Sequence, residues 1–76
     1  MAFNLVVEIK NGLDYEDTQR KIEKILGRHS DGSGFGFGIR DLSFYYEREA
    51  HAIKALKKIN KAKLQKTKAK VIFEEF

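Results

Sequence analysis

The stretch Asp31-Gly-Ser-Gly-Phe-Gly-Phe-Gly-Ile-Arg-Asp-Leu-Ser-Phe-Tyr-Tyr46 decides how this chain folds. Glycine alternates at Gly32, Gly34, Gly36 and Gly38, and Phe35, Phe37 and Ile39 fill the positions between. In an extended strand, neighbouring side chains point to opposite faces, so one face is Phe-Phe-Ile and the other is bare backbone. The phase then changes, because Leu42, Phe44 and Tyr46 fall on even positions. One flat strand cannot keep both sets on one face. The change predicts a turn or bulge at Arg40-Asp41, and so a tight hairpin with strands at about 34–39 and 42–47. A glycine-rich loop leading into a single strand is the alternative.

Glycine weakens a strand unless something approaches the backbone closely. The functional reading of the glycines is a flat surface for a base, a ring or another chain. The bland reading is a helix packed tightly against them, or turns. A phosphate-cradling loop does not fit. Such loops join a strand to a helix N-terminus, whereas this stretch follows a helix-like segment, enters a strand and lacks a Gly-Lys-Ser/Thr ending.

Outward from the centre, the pattern changes on both sides. Towards the N-terminus, Tyr15, Thr18, Ile22, Ile25 and Leu26 recur at helical spacing, with Arg20, Lys21, Glu23 and Lys24 on the solvated side. Asp14 is placed to cap this helix and Leu13 to staple it against Thr18, and Gly27 to His29 should end it. Before it, Phe3 to Lys10 alternates as a half-buried strand that Asn11-Gly12 closes. Towards the C-terminus, Glu47 to about Leu64 reads as a second helix. Ala50, Ile53, Leu56 and Asn60 share its inner face, widened by Ala52 and Ile59. A polar connector over 63–68 leads to a last strand from Ala69 to Phe76.

The order strand, helix, hairpin, helix, strand predicts an α+β domain. It resembles the ferredoxin-like βαββαβ arrangement, a four-stranded antiparallel sheet with two helices on one face. Seventy-six residues make one domain, 1–76. With no cysteine, there is neither a disulfide nor a thiolate metal site, and the apolar core must hold the fold. No apolar run approaches the roughly 20 residues that cross a bilayer, and the first residues lack the basic start and cleavage site of a signal peptide. The expected location is the cytoplasm, with no membrane partner.

Charge is unevenly placed. Eight lysines, at 54, 57, 58, 61, 63, 66, 68 and 70, fall between Ala50 and Lys70 with no acid among them. They leave seven basic residues against eleven acidic ones elsewhere. Such asymmetry suits a polyanionic partner, and it also suits a plain solvated helix.

Nothing in the sequence assembles a catalytic centre. His29, Ser30 and Asp31 are consecutive, whereas a triad converges in space. His51 has only Glu47 at helical spacing, too few ligands for a metal. The carboxylate pairs Asp14/Asp17 and Glu74/Glu75 suit a helix start and a chain end. The expectation is a non-enzyme without catalytic residues, metal or cofactor.

Gly34-Phe35-Gly36-Phe37 resembles the Gly-Phe-Gly-Phe heart of the RNP1 motif in RNA-recognition motifs, which share the βαββαβ order. The resemblance covers about five residues. It implies that Phe35 and Phe37 lie on the open sheet face and stack bases. The chain departs from that family in three places: Asp41 to Glu47 intervene before the second helix, Ser33 stands where a basic residue is usual, and the first strand has no matching aromatic.

Two functions from different classes follow. The first is a module that binds another protein, inhibitor-, immunity- or phage-effector-like, through its sheet and hairpin. Phe35, Phe37, Arg40, Tyr45 and Tyr46 are its candidate contacts, and an exposed strand edge could also take a second copy of the chain. The second is RNA or single-stranded DNA binding through Phe35, Phe37 and the lysines Lys54, Lys57, Lys58, Lys61, Lys66 and Lys68.

Overall fold

A computed structural model describes residues 2–10, 15–36 and 38–75. In chain order the elements are β1 (Ala2–Lys10), α1 (Tyr15–Leu26), β2 (Gly32–Gly36), β3 (Ile39–Tyr46), α2 (Glu49–Ala62) and β4 (Thr67–Glu74). The protein is α+β. The four strands form one antiparallel sheet in the order β2-β3-β1-β4.

Register explains the core. Leu5 lies opposite Phe44 on one side and Val71 on the other, and Val7 lies opposite Leu42 and Ala69. Partners directly opposite share a face, so β1's odd residues and β3's even residues form one apolar layer. Leu5, Val7, Ile9, Leu42 and Phe44 are buried there with Ile22 of α1 and with Ala55 and Ile59 of α2. Both helices therefore pack into the same layer of the sheet.

The hairpin turn lies elsewhere than the phase change suggested. Arg40 and Asp41 are ordinary β3 residues, opposite Phe35 and Gly34. Gly36 instead pairs with Ile39, so the chain reverses between them. Gly38 has φ +74°, a left-handed conformation that glycine adopts without a steric penalty. The shift from odd to even is the natural consequence of this turn. Phe35 pairs with Arg40, so odd residues of β2 and even residues of β3 fall on one face.

α2 is rotated from its expected setting. Ala52, Ala55 and Ile59 are buried, while Ala50 and Asn60 are exposed. At about 100° per residue, Ala50 falls on the side of Lys54, Lys57 and Lys61. β4 begins at Thr67 rather than Ala69, and α2 begins at Glu49 rather than Glu47. α1 ends as expected at Gly27 (φ +71°), where the N–H groups of Gly27 and Arg28 both donate to the Glu23 carbonyl, at 2.8 and 3.2 Å. The cap at Asp14, the staple at Leu13, the Asn11-Gly12 stop and Phe76 lie outside the described residues.

Candidate functional site

β2 is an edge strand, and all five of its residues are exposed. An edge strand leaves alternate N–H and C=O groups without partners in its own sheet. Gly32, Gly34 and Gly36 face away from the helices, opposite Ser43, Asp41 and Ile39. A Cβ built at any of the three meets nothing within 4 Å among the described residues, and none has positive φ. Among the described residues no helix packs against them, and Gly32 and Gly34 lie away from the turn that Gly36 borders. At Gly32 and Gly34 the described residues give no reason for glycine, and the strip there is an open surface.

The two sheet edges differ in their defences. β4, at the far edge, carries the exposed Lys68 and Lys70, and edge lysines discourage strand addition. β2 is Gly-Ser-Gly-Phe-Gly, with no charge and no proline.

A polar clasp finishes β3 where β2 begins. The Asp31 carboxylate accepts the Tyr45 N–H at 2.7 Å, and the Arg28 guanidinium donates to the Tyr45 carbonyl at 2.9 Å. Arg28 and Asp31 are themselves joined at 2.6 Å. These side chains satisfy the β3 backbone at Tyr45, just past its pairing with β2. The Arg28 guanidinium also lies 4.9 Å from the centre of the Tyr46 ring. The loop behind them is tied to α1, because the Ser30 N–H donates to Glu23 Oε2 at 2.9 Å. That bond holds the Glu23 carboxyl below its ordinary pKa. Partial burial opposes the shift, and Gln19 and His29 assist it. Sequence reasoning missed this clasp. An Arg-x-x-Asp pair leading into a strand was its only trace.

The sequence-derived contacts do not converge. Phe35 shares the helix side with Arg40, and its ring meets Tyr15 edge-on at 5.7 Å. It does not lie on the open face, where the RNP1 resemblance placed it, and it is 69% exposed. Phe37 lies outside the described residues. The Arg40 guanidinium sits 5.9 Å from the Tyr15 ring, and the Tyr15 hydroxyl donates to the Gly38 carbonyl at 3.1 Å. Tyr46 is on the helix side opposite Phe3, whereas Tyr45 is on the open face opposite Asn4. Phe35, Arg40 and Tyr15 thus form one cluster beside the β2 edge, and Tyr45 belongs to another surface. On that open face Asn4 is buried and donates to Ser43 Oγ at 3.4 Å and Glu74 Oε1 at 3.1 Å.

The lysines divide as well. Lys54, Lys57, Lys58 and Lys61 form an exposed stripe on α2, away from its buried residues. Lys68 lies on the opposite, open side of the sheet, across from Glu8, and Lys70 pairs with Glu8 at 3.5 Å. Lys66 has φ +53° in the loop before β4. The charged segment is therefore spread over two sides of the molecule.

Among the described residues, no three His, Cys, Asp or Glu side chains are grouped as metal ligands would be. His29 is almost wholly exposed, 3.5 Å from Glu23. No described helix is long and apolar enough to cross a membrane. No protein-family model matches this chain, and neither a curated protein nor a solved structure matches it.

Proposed function

We propose that this chain is a small non-enzymatic module that engages a protein partner, inhibitor-, immunity- or phage-effector-like, by lending its β2 edge to an extended segment of that partner. The observation that carries the reading is the strand Gly32–Gly36, exposed along its length, uncharged, and glycine-rich with open space beside its glycines among the described residues. Backbone groups along an edge supply affinity in strand addition, and neighbouring side chains supply choice. Phe35, Arg40 and Tyr15 flank the edge on the helix side. The scaffold reads as ferredoxin-like, supported by the strand order β2-β3-β1-β4 and by the core layer common to both helices. The cysteine-free composition suits a cytoplasmic setting.

Selection from a random-peptide library tests the reading. The expected result is extended, β-prone peptides that bind the wild type and are lost with Ser33→Lys/Phe35→Lys. Binding should change little between about 50 and 200 mM salt, the range over which phosphate-driven binding collapses. Recovery of no edge-dependent peptide would overturn it. The alternative, RNA or single-stranded DNA binding, draws support from the lysine stripe of α2. It requires that labelled RNA or DNA bind with a steep salt dependence that Lys57→Ala, Lys58→Ala and Lys61→Ala abolish.

A further inference from the structure

We infer that the segment taken up by the β2 edge is β2 of a second copy, paired antiparallel about a two-fold axis through Gly34, which joins two sheets into one of eight strands. This deepens the edge-strand reading and rests on it.

Three observations favour a second copy. The first is the pattern. Gly-Ser-Gly-Phe-Gly reads nearly the same in both directions. With Gly34 on the axis, Gly32 meets Gly36 of the other copy and Ser33 meets its Phe35. Every pair keeps its face, as antiparallel pairing demands. The second is the exposed ring. Phe35, 69% exposed, lies diagonal to the other Phe35 across the axis, on the side where aromatic side chains reach one another. Self-pairing covers the one large apolar side chain that β2 exposes among its described residues.

The third is charge. β2 and β4 are opposite edges of the sheet. Strands lie about 4.8 Å apart, so joining through β2 keeps the two β4 strands about 34 Å apart. That is about four screening lengths at physiological salt. Joining through β4 would instead place Lys68 and Lys70 of each copy at the seam. A net charge of +4 opposes self-association in general, but β2 is the edge where that opposition is weakest. Around β2 both signs are present: Arg28 pairs with Asp31 in the clasp, while Arg40 and Asp41 lie on opposite faces of β3, across from Phe35 and Gly34.

Five residues from each copy bury far less than the roughly 800 Å² per partner of a standard interface. The dimer is therefore weak and concentration dependent. Sedimentation equilibrium of the full chain from about 10 μM to 1 mM should show a monomer–dimer equilibrium within that range. Amide exchange along β2 should slow as concentration rises. Ser33→Lys/Phe35→Lys and Ser33→Glu/Phe35→Glu should each be monomeric. Mixed, they should form a heterodimer, because the register sets position 33 of one copy against position 35 of the other. A folded wild type that stays monomeric at about 1 mM overturns the inference, as does a mixture of folded variants that fails to associate. If the wild type is monomeric yet edge-dependent peptides are recovered, the second copy is ruled out and the edge reading stands. If neither is seen, both fall.

Discussion

Two side chains set the local energetics around the edge. Asp31 accepts from the Tyr45 N–H and from Arg28, and both partners sit at the start of the exposed strand. Asp31→Ala should cost about 0.5–1.5 kcal/mol in urea unfolding, the net worth of an exposed hydrogen bond whose lost acceptor water can replace. Asp31→Asn keeps an acceptor and should cost less; equal losses would mean that the clasp carries no hydrogen-bond energy. Glu23 gives a pH test. Its folded pKa is lowered from the ordinary glutamate value, with the Ser30 N–H the largest cause. A depressed acid contributes stability that is complete above its unfolded pKa and is lost as pH falls through the folded one. Stability should therefore decline as pH falls below the ordinary glutamate pKa and on through the folded one, and Glu23→Gln should flatten that limb. An unchanged acid limb in Glu23→Gln would refute the Ser30 tether.

At the scale of the element, the hairpin carries glycines of two kinds. Gly38 holds φ +74° in the turn, whereas Gly34 has open space and strand geometry. Gly34→Thr should raise stability by about 0.5–1 kcal/mol, because glycine loses more chain entropy than any other residue and threonine suits a strand. Gly38→Val should lower stability by at least 1 kcal/mol or so, because a β-branched residue is strained there. Thermal unfolding of both variants checks the contrast, and a destabilised Gly34→Thr would mean that the fold does need the glycine. Much of the hairpin could be read in the sequence. The Leu42/Phe44 alternation marks a strand, and the odd-to-even shift requires a reversal. Its position could not be read, since four alternating glycines offer several equally good turns and only cross-strand pairing chooses between them. α2 differs. Its lysine stripe marks the solvated side, and at helical spacing Ala50 falls on that side, so the exposure of Ala50 is legible in the sequence.

For the whole molecule, charge and core are kept apart. The exposed α2 lysines face away from Ala52, Ala55 and Ile59, so the stripe is not needed for folding. Lys57→Ala/Lys58→Ala/Lys61→Ala should change stability by no more than about 0.5 kcal/mol, as surface substitutions usually do, when measured by urea unfolding. The triple variant should also leave self-association through β2 unchanged or slightly stronger, because it lowers the net positive charge of each copy. Weaker association would move the interface to the helix side.

The order and kind of the elements and the α+β class can be read from the chain alone. Those follow from periodicity, a local property that needs no partner. The sequence also determined that one strand would show bare backbone, because alternation fixes which side chains share a face. Strand pairing in three dimensions makes this strand an edge, sets Phe35 on the helix side beside Tyr15 and Arg40, and divides the lysines between two sides of the molecule. Those are matters of which strand pairs with which and in what register. They are settled by burying Leu5, Val7, Leu42 and Phe44 together, across separations that no local pattern spans.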